Sequence, residues 1–150
     1  MTVRIEQALQ GVERLFLDTA PVIYFVERNP QYWAVVSQVF RAVDEAELTV
    51  VTSPITLAEC LVMPYRRGLG KLQQDFTELI TGGERTVFVT ISFEVGQRAA
   101  ELRAEYGFAL PDALQIAVAL MAGCEAFLTN DRLLTRVTQL RALVIDALEV

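Results

Sequence analysis

Pro111-Asp-Ala-Leu-Gln-Ile-Ala-Val-Ala-Leu-Met-Ala122 is the stretch that decides the fold. It reads as a helix that is apolar nearly all round, and a helix without a polar face belongs inside a core. Gly123 stops it, and Ala126-Phe-Leu128 follows as a short apolar strand. The same alternation recurs on the N-terminal side. Leu15-Phe-Leu17 is a strand ending at Asp18-Thr19. Pro21 to Glu27 reads as a short helix stopped by Asn29-Pro30, and Tyr32 to Ala46 carries apolar residues near helical spacing. Leu48 to Val51 is β-branched and reads as a strand, after which Ser53-Pro54 opens a helix that meets Pro64 and Gly68.

The remaining elements continue the pattern. Lys71 to Ile80 is helical and ends at Gly82-Gly83, Thr86 to Ile91 is a strand, and Phe93 to Tyr106 is a helix closed by Gly107. Arg132 to Leu140 reads as helical and Leu143 to Ile145 as a last strand. Strands separated by helices imply an α/β protein, a parallel sheet flanked by helices on both faces in three layers. Residues 1–150 are expected to form a single domain, a size that buries roughly two-thirds of the unfolded surface.

Composition narrows the chemistry. With 53% apolar and 21% charged residues the chain is neither disordered nor fibrous. No apolar run reaches the roughly 18 residues a membrane span needs, and Met1 to Gly11 lacks the apolar core of a signal peptide. The reading is a cytoplasmic protein. Cys60 and Cys124 sit far apart among apolar neighbours and read as buried free thiols. There is no histidine, which removes imidazole catalysis and His-ligated zinc. Chemistry must come from carboxylates, hydroxyls, Lys or Arg. A net charge of −6 is a poor basis for general nucleic-acid affinity.

Ligands of parallel sheets gather beyond the carboxyl ends of the strands. Four acids are placed there. Asp18 follows the first strand, and Asp131 lies three residues after Leu128. Glu59 is early in the helix after Leu48–Val51, and Asp112 is in the first turn of the buried helix. Each has a structural alternative. Thr56-x-x-Glu59 fits a capping box, Asp112 suits a helix dipole, and Asp18 and Asp131 could be caps. Caps need not converge, however, and Asp112 among Leu110, Ala113, Leu114 and Ile116 would be partly desolvated. A hard cation such as Mg²⁺ or Mn²⁺ relieves both burial and mutual repulsion. Without these four, 15 acids face 13 bases, so much of the acidity belongs to the candidate site.

The stretches Leu15-Phe-Leu-Asp18-Thr19, Thr56-Leu-Ala-Glu59, Leu110-Pro-Asp112-Ala-Leu-Gln-Ile-Ala-Val-Ala119 and Phe127-Leu-Thr-Asn-Asp131-Arg-Leu-Leu134 together resemble the PIN-domain nucleases. In order, spacing and length they are most similar to the VapC toxins of toxin–antitoxin pairs. The resemblance spans about Leu15 to Ile145. It implies Mg²⁺- or Mn²⁺-dependent endonucleolytic cleavage of RNA by metal-activated water, leaving a 5′-phosphate and a 3′-hydroxyl. Asp18, Glu59 and Asp112 match the family's metal-binding acids. Asp131 matches a fourth, for a second ion or a bound water, and Thr129 matches a polar residue that positions water or ligand. The implied partners are an RNA substrate, a VapB-like antitoxin and a second copy of the chain. Arg66 and Arg67, with Lys71, form the nearest thing to a basic cluster and could hold phosphates; a solvated turn around Gly68 and Gly70 explains them as well.

Two rivals use the same residues differently. An aspartyl phosphohydrolase would employ Asp18 as nucleophile. The dehalogenase type would want a second Asp two residues on, where this chain has Ala20, and the single lysine, Lys71, has no evident site role. A catalytically silent binding module would ordinarily have lost an acid, and all four are present.

Overall fold

The computed structural model describes residues 1–150. Alternation within β2 (Arg14–Leu17) organises everything around it. Successive side chains of a strand point to opposite faces. Leu15 and Leu17 therefore join one apolar core, and Phe16 joins the other. β5 (Ala126–Thr129) lies beside it in parallel, with Leu15, Phe16 and Leu17 opposite Ala126, Phe127 and Leu128. Phe16 and Phe127 stack across the pair with ring centres 4.9 Å apart.

Three further parallel strands complete the sheet: β3 (Thr49–Thr52), β4 (Thr86–Phe88) and β6 (Arg141–Val144), in the order β4-β3-β2-β5-β6. The chain runs outward from β2 through β3 to β4, then returns to the other side of β2 for β5. The direction of winding thus reverses between β2 and β5, which is where an open α/β sheet forms its ligand crevice.

Helices cover both faces. On the Leu15 and Leu17 face, α2 (Thr19–Val26), α3 (Trp33–Asp44), α4 (Pro54–Arg66) and α5 (Gly70–Gly82) contribute Val22, Val36, Val39, Cys60, Phe76 and Ile80. On the Phe16 face lie α6 (Phe93–Tyr106) and α7 (Leu110–Met121), with Val95, Ala99, Leu102, Ile116 and Ala117. Gly107, at φ 74°, ends α6 in the left-handed conformation that glycine adopts without strain. The three-layer parallel architecture is the one expected.

Several elements differ from expectation, among them β6, which runs Arg141–Val144 rather than Leu143 to Ile145, with Ile145 opening a 3-10 turn. Arg132–Arg136 is a short 3-10 helix and stops there; Val137 and Leu140 are drawn into the core beside α7, leaving too few residues for a further turn before β6. β4 ends at Phe88, although the Val89 N–H still reaches the Thr52 carbonyl. α4 continues two residues past Pro64, which lies inside it. Finally, β1 (Val3–Arg4) and β7 (Leu148–Glu149) pair in parallel as a separate two-stranded sheet, with α1 (Ile5–Ala8) following β1.

Candidate acidic active site

Asp18 begins where β2 stops. Its backbone N–H continues the ladder to the Leu128 carbonyl, and its side chain caps α2. One carboxylate oxygen, Oδ1, accepts the Thr19 N–H at 2.9 Å; the other, Oδ2, accepts the Thr129 hydroxyl at 2.7 Å. Thr129 is the last residue of β5 and fully buried, and its Oγ1 also accepts the Asp131 N–H at 3.0 Å. One threonine therefore fastens the β2 and β5 ends to each other. Asp131 in turn accepts the Leu133 N–H and caps the 3-10 helix.

Glu59 arrives from α4 and accepts the Thr19 hydroxyl at 2.6 Å through Oε1. It takes no part in a capping box. Ser53 caps α4, its Oγ accepting the Ile55 and Thr56 N–H groups, so the amide that Glu59 would have reached is already satisfied. Asp112 stands in the first turn of α7, half-buried. Asp18 and Asp131 thus serve as caps, whereas Glu59 and Asp112 have no capping bond to explain them.

Electrostatics binds the four together. Burial raises Asp18, only partly offset by its bonds from Thr129 and Thr19, and the charges of Glu59 and Asp131 raise it further. Asp112 is raised from 3.8 to about 6, first by burial and then by the charges of Asp18, Asp131 and Glu59. No hydrogen bond or cation works against that rise. The ion pairs of the chain, Lys71–Asp75 and Arg98–Glu101, involve none of the four.

Such a set of uncompensated oxygen donors suits a hard divalent cation in chemistry. It is not assembled as a finished ligand shell, since no three acidic or thiol side chains are grouped to hold a metal ion. Both Asp18 oxygens are turned toward hydrogen-bond donors, Oδ1 to the Thr19 N–H and Oδ2 to the Thr129 hydroxyl.

The other singled-out residues divide. Arg66 and Arg67 are exposed at the C-terminal end of α4, seven and eight residues beyond Glu59. At 1.5 Å per residue that is roughly 10 Å along the helix axis. They stand apart from the acids, and Lys71 is paired with Asp75. Both cysteines are buried free thiols, each pushed up to about 12 chiefly by burial, and are unsuited to nucleophilic work near neutrality. The residue that sequence reading left out is Thr19. It stood inside a quoted motif, but nothing in its spacing showed that its hydroxyl would hold Glu59.

Residues 15–140 match the PIN domain family. The chain belongs to the PIN-domain family. Its fold is shared with VapBC2 from Rickettsia felis bound to a promoter DNA fragment, at a TM-score of 0.68 and 18% identity over 87% of this chain and 98% of that one. A toxin–antitoxin complex from Klebsiella pneumoniae gives 0.66 at 20% identity, over 87% and 97%. VapC20 of Mycobacterium tuberculosis, a sarcin-ricin loop cleaving toxin, gives 0.66 at 14% identity, over 85% and 98%. No curated protein matches the chain in sequence. No helix of this PIN-domain chain is long and apolar enough to cross a membrane.

Proposed function

We propose that the chain is a Mg²⁺- or Mn²⁺-dependent endoribonuclease and the toxin of a VapBC-type pair. The observation that carries this reading is the mutual action of Asp18, Glu59, Asp112 and Asp131 at the switch point of the sheet, with no cation of the protein to balance them. Metal-dependent phosphodiester cleavage needs carboxylate oxygens held by a frame and paired with no cation of the protein.

Asp18, Glu59 and Asp112 would hold the ion directly or through water, and Asp131 would hold a second ion or a water. The chemistry such an ion supplies is activation of a water and relief of charge on the phosphodiester, giving a 5′-phosphate and a 3′-hydroxyl. The protein's own part is placement. Thr129 fixes the Asp18 carboxylate, and Thr19 fixes Glu59. Arg66 and Arg67 would meet phosphates of the strand away from the scissile bond. A VapB-like antitoxin and a second copy of the chain are the proposed protein partners; the Klebsiella neighbour of the same fold is itself a toxin–antitoxin complex.

The test uses the purified chain, free of partners, with structured and unstructured RNA in Mg²⁺, Mn²⁺ or EDTA. Cleavage is expected with either ion and is expected to vanish with EDTA and in Asp18→Asn and Asp112→Asn. Cleavage that survives EDTA or both substitutions overturns the carboxylate–metal reading. A phosphate trapped on Asp18 would instead show an aspartyl phosphohydrolase.

A further inference from the structure

One polar side chain interrupts the buried face of α7. Gln115 is 1% exposed, among Ala113, Ile116, Ala117, Val118 and Ala119. A buried amide is costly unless all its bonds are made, so its neighbours matter. Its Oε1 accepts the Ser53 hydroxyl in a short hydrogen bond, and its Nε2 donates to Thr56 Oγ1 at 2.7 Å. Thr56 Oγ1 then donates to the Leu17 carbonyl at 3.2 Å. Ser53 and Thr56 are themselves fully buried.

This chain of bonds touches every element that carries a central acid. Gln115 is one turn from Asp112 on α7. Thr56 is one turn from Glu59 on α4. Leu17 immediately precedes Asp18. This buried polar path therefore runs from the Asp112 helix, through the first turn of the Glu59 helix, to the strand end that presents Asp18. Apolar packing alone leaves helices free to slide by fractions of an ångström, whereas directed hydrogen bonds fix one register.

We propose that Gln115, acting through Thr56, is a positioning residue that sets the spacing of Asp112 and Glu59 from Asp18 and thereby the affinity of the pocket for a divalent cation. The inference rests on the metal-dependent reading above. Carboxylates that repel one another need an outside frame to hold them near a shared ion. Groups that orient ligands from behind typically govern metal affinity by about tenfold to a hundredfold.

Mn²⁺ binding to the folded chain, followed by electron paramagnetic resonance of the free ion, tests it without any RNA. Gln115→Met keeps the length and removes the amide. Thr56→Val keeps the shape and removes the hydroxyl, while Thr56→Ser keeps the hydroxyl. Leu102→Val, on the buried face of α6, is a control that lowers the melting temperature without removing any of the bonds described. Gln115→Met and Thr56→Val are each expected to weaken Mn²⁺ binding about tenfold, with a double variant no worse than about tenfold, because both break one path. Thr56→Ser and Leu102→Val are expected to bind as wild type. If Gln115→Met does not fold, the Thr56 pair decides alone. Wild-type affinity in Thr56→Val, or weakening in Leu102→Val equal to its loss of stability, overturns the proposal. A wild-type chain that takes up no Mn²⁺ overturns the metal-dependent reading itself, and the proposal with it.

Discussion

Glu125 and Asp112, one at each end of the sheet, are treated in opposite ways. At the end where strands begin, Glu125 precedes β5, and its Oε1 accepts the N–H groups of Glu13 and Arg14, each at 2.8 Å. Desolvation pushes Glu125 up, but bonds from the Arg14, Glu13 and Glu125 amides and the Arg14 charge outweigh it and leave it below the ordinary carboxylate value. At the end where strands stop, Asp112 receives no donor and is pushed up to about 6. An acid that supports the fold is given hydrogen bonds to its charged form. An acid left without a donor costs stability in its charged form, and such acids are candidates for binding something from outside.

This contrast can be broken most forcefully at the acids themselves. Asp18→Asn and Asp112→Asn should each lower RNA cleavage by about a thousandfold or more, equivalent to about 4 kcal/mol of lost transition-state stabilisation. Glu125→Ala should leave the rate per folded molecule unchanged, as measured by single-turnover kinetics below the melting range. If it cuts as poorly as the Asp112 variant, the two ends do not differ in function.

A smaller effect concerns the one residue that serves both fold and pocket at the stopping end. Thr129→Val removes the donor to Asp18 and the acceptor for the Asp131 N–H while keeping the side-chain shape. Cleavage should fall by about tenfold to a hundredfold, the scale seen when a ligand's supporting partner is lost. The half-saturating Mn²⁺ concentration should rise with it. A rate loss with unchanged metal dependence would make Thr129 a part of the fold only.

The smallest expected change is in stability at the other end. Glu125→Ala leaves two backbone N–H groups without their carboxylate, at a cost of about 1 kcal/mol in this exposed setting. The melting temperature, read by circular dichroism, should fall by several degrees. No change would mean that water serves those amides as well as Glu125 does.

How much of this was legible in the sequence depends on how each feature is encoded. β2, β5 and α7 were readable because each is an apolar run with a clear stop, and Gly107 and Gly123 carry the positive φ that such stops need. β1 and β7 are two residues each and carry no period to read. The segment Arg132–Leu140 has helical composition, yet the core claims its apolar residues individually, so the apolar pattern misled. Of the site, the acids could be found from strand-end placement. Thr129 was named only through the family resemblance, and the bonds of Thr19 and Thr56 could not be read at all, because a hydroxyl's partner is set by tertiary proximity: Thr56, placed by spacing in a capping box, bonds instead to the Leu17 carbonyl and Gln115. Gln115 was invisible for the same reason, as one polar letter in an apolar helix.

The central proposal is that Asp18, Glu59, Asp112 and Asp131 bind a divalent cation, and its most direct measurement is the melting temperature of wild type and Asp112→Asn at pH 7, with and without Mn²⁺. Without the ion, the raised Asp112 means that the folded state binds its proton more tightly than the unfolded chain does. Wild type therefore loses stability as pH rises from about 4 through about 6. Asparagine carries no such penalty. After allowance for solvent screening at a half-exposed group, Asp112→Asn should gain about 1 kcal/mol, or roughly 2–4 °C, an advantage that disappears below about pH 4. With Mn²⁺ at a hundred times its dissociation constant, wild type should gain about 2.7 kcal/mol and overtake the variant. The account predicts this crossing. Equal shifts in both proteins, or none in either, would contradict it.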